Sequence, residues 1–312
     1  MKLSLCLAVF NEEKNIHYPL DSTYDLVDEV VIVDAGSTDR TVEIAKSYGK
    51  KVRVIASDNP PMFHKNKQKA IEAAKGDWIL QLDADEELSE ELREEIKSII
   101  NPKSEVRNPK QILNSNGKNS KRLGNLKFEN SDLFRDSNFD IRNLPAAYWL
   151  PRKNWFLTRF LMKGGQYPDY TIRLYRNGYA RFPCKDVHEN VKILDIENSL
   201  KIENCKLKIG FLKNPLFHYA DPDFSRYLMR WDRYTTLEVQ SSKFKVQNEG
   251  KNQFLMFLEY FFWKPLTTFF SMYFRHKGFM DGFPGFVFAL FSSIRLWVIY
   301  IKWWQRSLRL TG

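Results

Sequence analysis

The sequence predicts an α/β fold built on a parallel, doubly wound sheet, and three observations carry that reading. Four runs, Leu3–Val9, Glu29–Asp34, Val52–Ala56 and 78–82, have strand length and are rich in Val, Leu and Ile. Segments of helical character, around 12–20, 38–48 and 64–74, alternate with them. The run 78–82 also leads straight into carboxylates, and strand ends are where open α/β sheets bind their ligands.

Taken in order, Leu3–Val9 opens the sheet. It superficially resembles a signal peptide, but the apolar run is short and Asn11-Glu12-Glu13-Lys14 follows with no small-residue cleavage site. Glu29–Asp34 ends in Asp34-Ala35-Gly36-Ser37, where Gly36 allows a tight turn and Ser37 or Thr38 can cap the next helix. The run 78–82 reads as a buried central strand. Ser89 is a suitable N-cap for Glu90–Ile100, whose acidic first turn suits the helix dipole. Composition then changes. Residues 101–143 are rich in Asn, Lys, Ser and Arg and lack a period, which predicts an exposed, mobile insertion. Strands are expected at 170–176 and 179–183, joined by Asn177-Gly178 as a hairpin. Phe224–Gln240 is helical in pattern, with Arg226, Arg230 and Arg233 on one face.

At 312 residues the chain can bury a full core. Of the net charge of +10, nearly all lies in 201–312, which carries 17 Lys/Arg against 8 Asp/Glu. The same region holds two aromatic stretches, 254–274 and 283–304, interrupted by Glu259, Lys264 and Arg295. Trp263, Trp297, Trp303 and Trp304 near Lys264, Lys302 and Arg306 have the character of interfacial anchors. An aromatic helical hairpin covering the core explains them equally well. An anionic membrane is one partner for such a surface and nucleic acid another. The basic excess sits among aromatics rather than in a recognised nucleic-acid module, so no nucleic-acid partner is expected. Cys6, Cys184 and Cys205 lie far apart, which argues against a disulfide framework or a zinc site and suits a reducing compartment.

The chemistry centres on Asp83-Ala84-Asp85 at the end of 78–82. Two hard oxygen donors flanking a small residue suit Mg²⁺ or Mn²⁺ completed by a phosphate-bearing ligand. Alone, the pair is as well explained by an acidic loop before a helix. No Gly-x-Gly-x-x-Gly and no Walker A sequence occurs.

The combination of Leu7-Ala8-Val9-Phe10-Asn11-Glu12, Val33-Asp34-Ala35-Gly36-Ser37-Thr38-Asp39-Arg40-Thr41, Asn66, Ala70, Ala74-Lys75-Gly76-Asp77 and Leu82-Asp83-Ala84-Asp85 resembles the family 2 glycosyltransferases of GT-A fold. Further on, Pro168-Asp169 through Arg176, Val187-His188-Glu189, Phe217-His218-Tyr219 and Gly278-Phe279-Met280-Asp281-Gly282 resemble the WaaE-type lipopolysaccharide core transferase subgroup. The likeness covers most of the chain outside 101–143. It implies a nucleotide-sugar donor, a divalent ion (Mn or Mg) and inverting transfer to a glycan or glycolipid acceptor. It also implies that Asp34 and the backbone of Ala8–Phe10 line the nucleobase pocket, with Glu12 and Ser37 beside them. Asp83 and Asp85 would hold the donor through the metal. Asp169, followed by Arg173, stands where the family has its acid, although Pro168 replaces the usual Glu.

The reaction needs a carboxylate to take the acceptor's proton. Asp169 is preferred for that role and Glu189 is its rival. For either, the alternative is a structural acid paired with an Arg. His218 is a candidate third metal ligand or diphosphate donor, and Arg226, Arg230 and Arg233 are candidates for diphosphate or lipid phosphate. The expected organisation is a catalytic domain over 1–220 and a basic, aromatic helical region over 221–312. The expected location is the cytoplasmic face of the inner membrane. Two other readings, a sugar-phosphate nucleotidyltransferase and a non-catalytic membrane adaptor, lack respectively a Gly-rich phosphate loop and a reason to keep Asp34, Asp83, Asp85 and Asp169.

Overall fold

The computed structural model describes residues 1–60, 62–101, 145–184, 191–193, 209–241, 244, 248 and 250–311. The expected insertion at 101–143 and the candidate acid Glu189 lie outside the described residues, apart from Asn101.

The first half alternates as its apolar runs require. β1 (Leu3–Val9), α1 (His17–Thr23), β2 (Glu29–Asp34), α2 (Thr41–Ser47), β3 (Val52–Ala56), α3 (His64–Ala73) and β4 (Trp78–Gln81) follow in order. β3, β2, β1 and β4 are neighbours and pair in parallel. The alternating directions of β1 side chains explain why nearly every residue in it is apolar. Leu3, Leu5, Leu7 and Val9 pack into one cluster with Ile16, Leu20, Ala45, Leu92 and Ile96. Cys6 packs on the other face with Val31, Val33, Ile79, Ala70 and Ile71 of α3. Each fully buried Leu contributes about 1.5–3 kcal/mol.

Helices α1 and α2 start later than the residue pattern predicts. Residues 12–16 form turns in which Glu12 O accepts from Asn15 and Ile16 N–H. Residues 38–40 are clipped instead to the β1 loop, where Thr38 N–H donates to Asn11 Oδ1 at 2.8 Å. Gly36 takes φ +81°, in the left-handed region, to make the intervening turn.

β5 (Glu86–Leu88) and α4 (Glu90–Ile100) follow, with Ser89 Oγ accepting from Leu92 N–H at 3.1 Å. The sheet is mixed rather than wholly parallel. β8 (Asp169–Arg176) enters antiparallel between β4 and β6 (Ala147–Phe156), β12 (Leu216–Asp221) lies parallel to β6, and β5 closes the edge antiparallel to β12. β7 (Arg159–Phe160) and β11 (Ile209–Phe211) also pair with β6. Because β8 has a partner on both sides, it offers no edge for the hairpin expected at Asn177-Gly178. β9 (Ala180–Arg181) pairs with β10 (Lys192–Ile193) instead, while Asn177 Nδ2 donates to Ala74 O and Gly76 O.

α5 (Phe224–Gln240) starts at Asp223, whose carboxylate accepts from Arg226 N–H at 2.8 Å. Next comes one winding segment: α6 (Gln253–Leu258), a π turn (Glu259–Trp263), α7 (Lys264–Phe270) and a second π turn (Ser271–Arg275). A 3₁₀ turn (Gly278–Asp281) leads into the long α8 (Gly282–Thr311). Phe156 and Leu161 of the sheet region pack with Tyr227 and Val287. Buried Asp281 accepts from Met162 N–H at 3.0 Å and Lys163 N–H at 2.7 Å, fastening the start of α8 to the loop after β7.

Candidate active site

At the carboxyl ends of β1 and β4 lies a cleft of about 770 Å³, roofed by the first turns of α5. Ala8, Phe10 and Glu12 line it from β1 and its loop, Asp83 and Asp85 from the end of β4, His218 from β12, and Arg226, Arg230 and Arg233 from α5. The basic face read from the sequence therefore points into the cleft.

The two carboxylates of Asp83-Ala84-Asp85 have different surroundings. Asp83 pairs with Lys67 of α3 and accepts from Arg173 Nη2 at 2.7 Å. Burial alone would raise the Asp83 carboxyl, but Arg173 and Lys67 beside it hold it well below the usual range. Arg173 also donates to Gln81 Oε1 at 2.6 Å and Glu86 Oε1 at 2.7 Å. Burial works against the Arg173 cation, yet Asp83 and Glu86 more than compensate and its pKa is raised. Arg173 thus holds Asp83 in place, and lines a cavity adjoining the cleft rather than the cleft itself.

Asp85 also lines the cleft, with a different set of partners. Its Oδ2 lies 3.1 Å from Arg226 Nη2 and its Oδ1 lies 3.6 Å from His218 Nε2. The network assigns the imidazole tautomer. Asn154 Nδ2 donates to Asp169 Oδ2 at 3.1 Å, so Asn154 Oδ1 faces His218 Nδ1 at 2.6 Å and Nδ1 carries the proton. Burial pushes the His218 pKa down to about 4, so the ring is neutral near pH 7. A bare Nε2 lone pair and a carboxylate oxygen then face one another with no proton between them.

This donor set fits a divalent ion. Two ligands of one Mg²⁺ or Mn²⁺ at about 2.1 Å can stand up to about 4.2 Å apart, and 3.6 Å falls within that limit. Among the described residues no group of three or more His, Cys, Asp or Glu is arranged to hold a metal. Asp85 and His218 are thus the two residues that would hold such an ion.

Asp169 sits in an adjoining cavity of about 290 Å³ that shares Phe63, Lys67, Asp83, Arg152 and Tyr234 with the cleft. It is held by Arg152 Nη2 at 2.7 Å and by Asn154. Burial would raise the Asp169 carboxyl, but Arg152 lowers it on balance, so it is ionised near neutrality. Asp34 and Ser37 have local partners. The Asp34 carboxylate accepts from Gly36 and Ser37 N–H, each at 3.1 Å to Oδ2, and Ser37 Oγ accepts from Asn11 N–H at 2.9 Å. Both brace the turn bordering Ala8 and Phe10, and neither is among the described residues lining the cleft.

Sequence reasoning did not pick out Glu86, Lys67, Arg152 or Asn154. Glu86 is fully buried, accepts from Arg173 and Arg152, and takes Asp83 N–H on Oε2 at 3.0 Å. The available signal was the strand alternation of β5, which turns Glu86 inward and Glu87 outward.

A polar, arginine-walled cleft thus lies at the carboxyl ends of parallel strands, where open α/β sheets take their ligands, next to a carboxylate–imidazole pair. Residues 4–160 match the family model described as glycosyl transferase family 2, and the chain belongs to that family. It is 42% identical to an uncharacterized glycosyltransferase of Rickettsia bellii over 100 residues, 32% of this chain and 33% of the relative. With another from Rickettsia felis it shares 26% identity over 300 residues, 95% of this chain and 88% of the relative. The match to the first of these thus spans about a third of the relative's length. A crystal structure of Mycobacterium tuberculosis glucosyl-3-phosphoglycerate synthase with Mn²⁺ and UDP-glucose is 29% identical, covering 28% of this chain and 34% of that one, with a TM-score of 0.25.

Proposed function

We propose that the cleft binds a nucleotide diphosphate sugar with a divalent ion and that the protein transfers the sugar, with inversion, to a hydroxyl of a glycan or glycolipid acceptor. The observation that carries this reading is the Asp85–His218 pair, open to the cleft and faced by Arg226. Ala8, Phe10 and Glu12 form the wall for the nucleoside, braced by Asp34 and Ser37. Asp85 and His218 hold the metal, and Asp83 is fixed by Lys67 and Arg173 beside it. When bound, the ion supplies Lewis-acid stabilisation of the departing diphosphate. Arg230 is already anchored by Asp221 at 3.1 Å and Ala220 O at 2.8 Å, while Arg233 makes no ion pair among the described residues. These guanidiniums add positive charge where negative charge develops.

Asp169 is the base. The acceptor oxygen forms its bond to the anomeric carbon as the bond to the diphosphate oxygen breaks, and the acceptor proton passes to the Asp169 carboxylate. Arg152 keeps that carboxylate ionised and Asn154 aims it, linking it through one amide to His218. The resemblance of the second half to the lipopolysaccharide core transferases favours a cell-envelope acceptor. The basic, aromatic C-terminal region favours work at the inner face of the membrane.

The test is a panel of nucleotide sugars with and without Mn²⁺ or Mg²⁺, read by thermal stabilisation and slow donor hydrolysis. One donor should stabilise the protein in a metal-dependent way, by an amount that grows with ligand excess over Kd. If no nucleotide sugar does so with either metal, the reading fails.

A further inference from the structure

The winding segment from α6 to the second π turn carries a row of large apolar side chains at a strict spacing of four: Phe254, Leu258, Phe262, Leu266, Phe270 and Phe274. Every one is at least 39% exposed. In a plain α-helix each step of four residues overshoots a full turn by about 40°, so five steps would wind the row about 200° around the axis. π turns are wider, with i→i+5 bonding, and under-rotate over the same step. The two π turns at Glu259–Trp263 and Ser271–Arg275 fall between the α-helical stretches and correct the drift. The row therefore keeps to one side for about 30 Å. Leu255 and Trp263 widen it, and it is far larger than the scattered apolar residues of an ordinary surface.

Charge identifies what covers it. Residues 253–312 contain only two acids, Glu259 and Asp281, against seven Lys and Arg. Glu259 is neutralised by Lys251 at 2.9 Å and Lys264 at 3.0 Å, and Asp281 is buried. Exposed Arg275 and Lys277 at the end of the row make no ion pair among the described residues. An apolar row with a basic end and no free acid matches an anionic bilayer surface, with aromatics at headgroup depth and cations among phosphates.

We propose that this row is the membrane-inserting edge of the protein, lying in the plane of an anionic bilayer, and that α8 does not span it. The proposal rests on the membrane part of the function proposed above and specifies its mode. The helix through Gly278–Leu308 is long and apolar enough to cross a membrane, with a third of its most apolar window buried. Two of its charges, however, are tied to α5. Arg295 pairs with Glu238, and Lys302 donates to Asp232 and to Thr235 and Thr236 Oγ. α5 in turn places Arg226 on Asp85 in the cleft. A spanning α8 would carry this helix pair into hydrocarbon or strip both cations of their partners, and an unpaired cation in hydrocarbon is costly. Lying in the plane keeps both arrangements.

Flotation of the full chain with phosphatidylcholine vesicles, with and without phosphatidylglycerol, tests this. The wild-type protein should float with the anionic vesicles and release at high salt and alkaline pH, as a surface-bound protein does. Phe262→Ser/Leu266→Ser/Phe270→Ser should lower binding at least tenfold. Arg275→Gln/Lys277→Gln should lower it about fivefold per charge on anionic vesicles only. Metal-dependent nucleotide binding, measured on the same variants in solution, should be unchanged and certifies their fold. That readout also separates failure of this proposal from failure of the catalytic reading. Resistance of the wild-type protein to alkaline extraction would overturn it in favour of a span. Equal flotation of wild type and triple variant would overturn it, as would a stable soluble dimer that the triple variant abolishes.

Discussion

Glu86→Gln removes one charge at the centre of the buried network while nearly preserving volume. In the native protein Glu86 receives Arg173 Nη2 at 2.7 Å, Arg152 Nη1 at 3.3 Å and Asp83 N–H at 3.0 Å, with no solvent exposure. The amide retains a single acceptor oxygen and sets an NH₂ group against either a guanidinium or a backbone N–H. Arg173, itself buried, keeps only Asp83 as an anionic partner. Removing one member of a buried ion pair costs about 3–5 kcal/mol, because the remaining charge is left without compensation. At about 2–4 °C per kcal/mol for a large domain, the melting midpoint should fall by roughly 6–20 °C. Urea unfolding of Glu86→Gln, Arg173→Met and the double variant measures the coupling. The double variant should be less destabilised than the sum of the singles, by about 1–3 kcal/mol. A loss under about 1 kcal/mol in Glu86→Gln, or strict additivity, would refute the argument that Glu86 is the counter-charge holding Arg173 and Asp83.

Asp169→Asn should leave donor binding intact while single-turnover transfer falls by roughly two to four orders of magnitude, the usual scale of base catalysis; an unchanged rate would remove Asp169 from that role, and a larger loss in Glu189→Gln would give it to Glu189. The depressed Asp83 pKa makes the unfolded chain bind more protons than the native one below about pH 4. The stability that ionised Asp83 contributes is thus present above that pH and lost as pH falls further. Denaturant midpoints followed into acid should show a shallower decline in Asp83→Asn than in the wild-type protein. Ser89→Ala removes the acceptor for Leu92 N–H and should cost about 1 kcal/mol by urea unfolding with no effect on nucleotide binding.

What was legible in the sequence follows what is local. β1, β2 and β3 begin and end where the sequence places them, and β1 and β2, covered on both faces, are apolar almost throughout. Ser89 and α5 were readable for the same reason, since a cap and a helical period are contained within a few residues. Pairing across long separations was not. Nothing within 169–176 announces that β8 lies between β4 and β6, and the Asn177-Gly178 turn signal pointed to a hairpin that the two-sided pairing of β8 forbids. In the site, Asp83, Asp85 and His218 were visible as residue types, yet their division of labour depends on partners up to 141 residues away, as in Arg226–Asp85. The π turns that straighten the exposed row have no marker in composition, although the four-residue spacing itself is printed in the chain.

The central claim is that Asp85 and His218 together hold a divalent ion for a diphosphate-bearing ligand. Calorimetric titration of a nucleoside diphosphate into the wild-type protein, Asp85→Asn and His218→Gln, each with and without Mn²⁺, tests it most directly. Binding to the wild-type protein should require Mn²⁺, and each substitution should erase the Mn²⁺ dependence while the fold persists. Mn²⁺-dependent affinity that survives unchanged in both variants would contradict it.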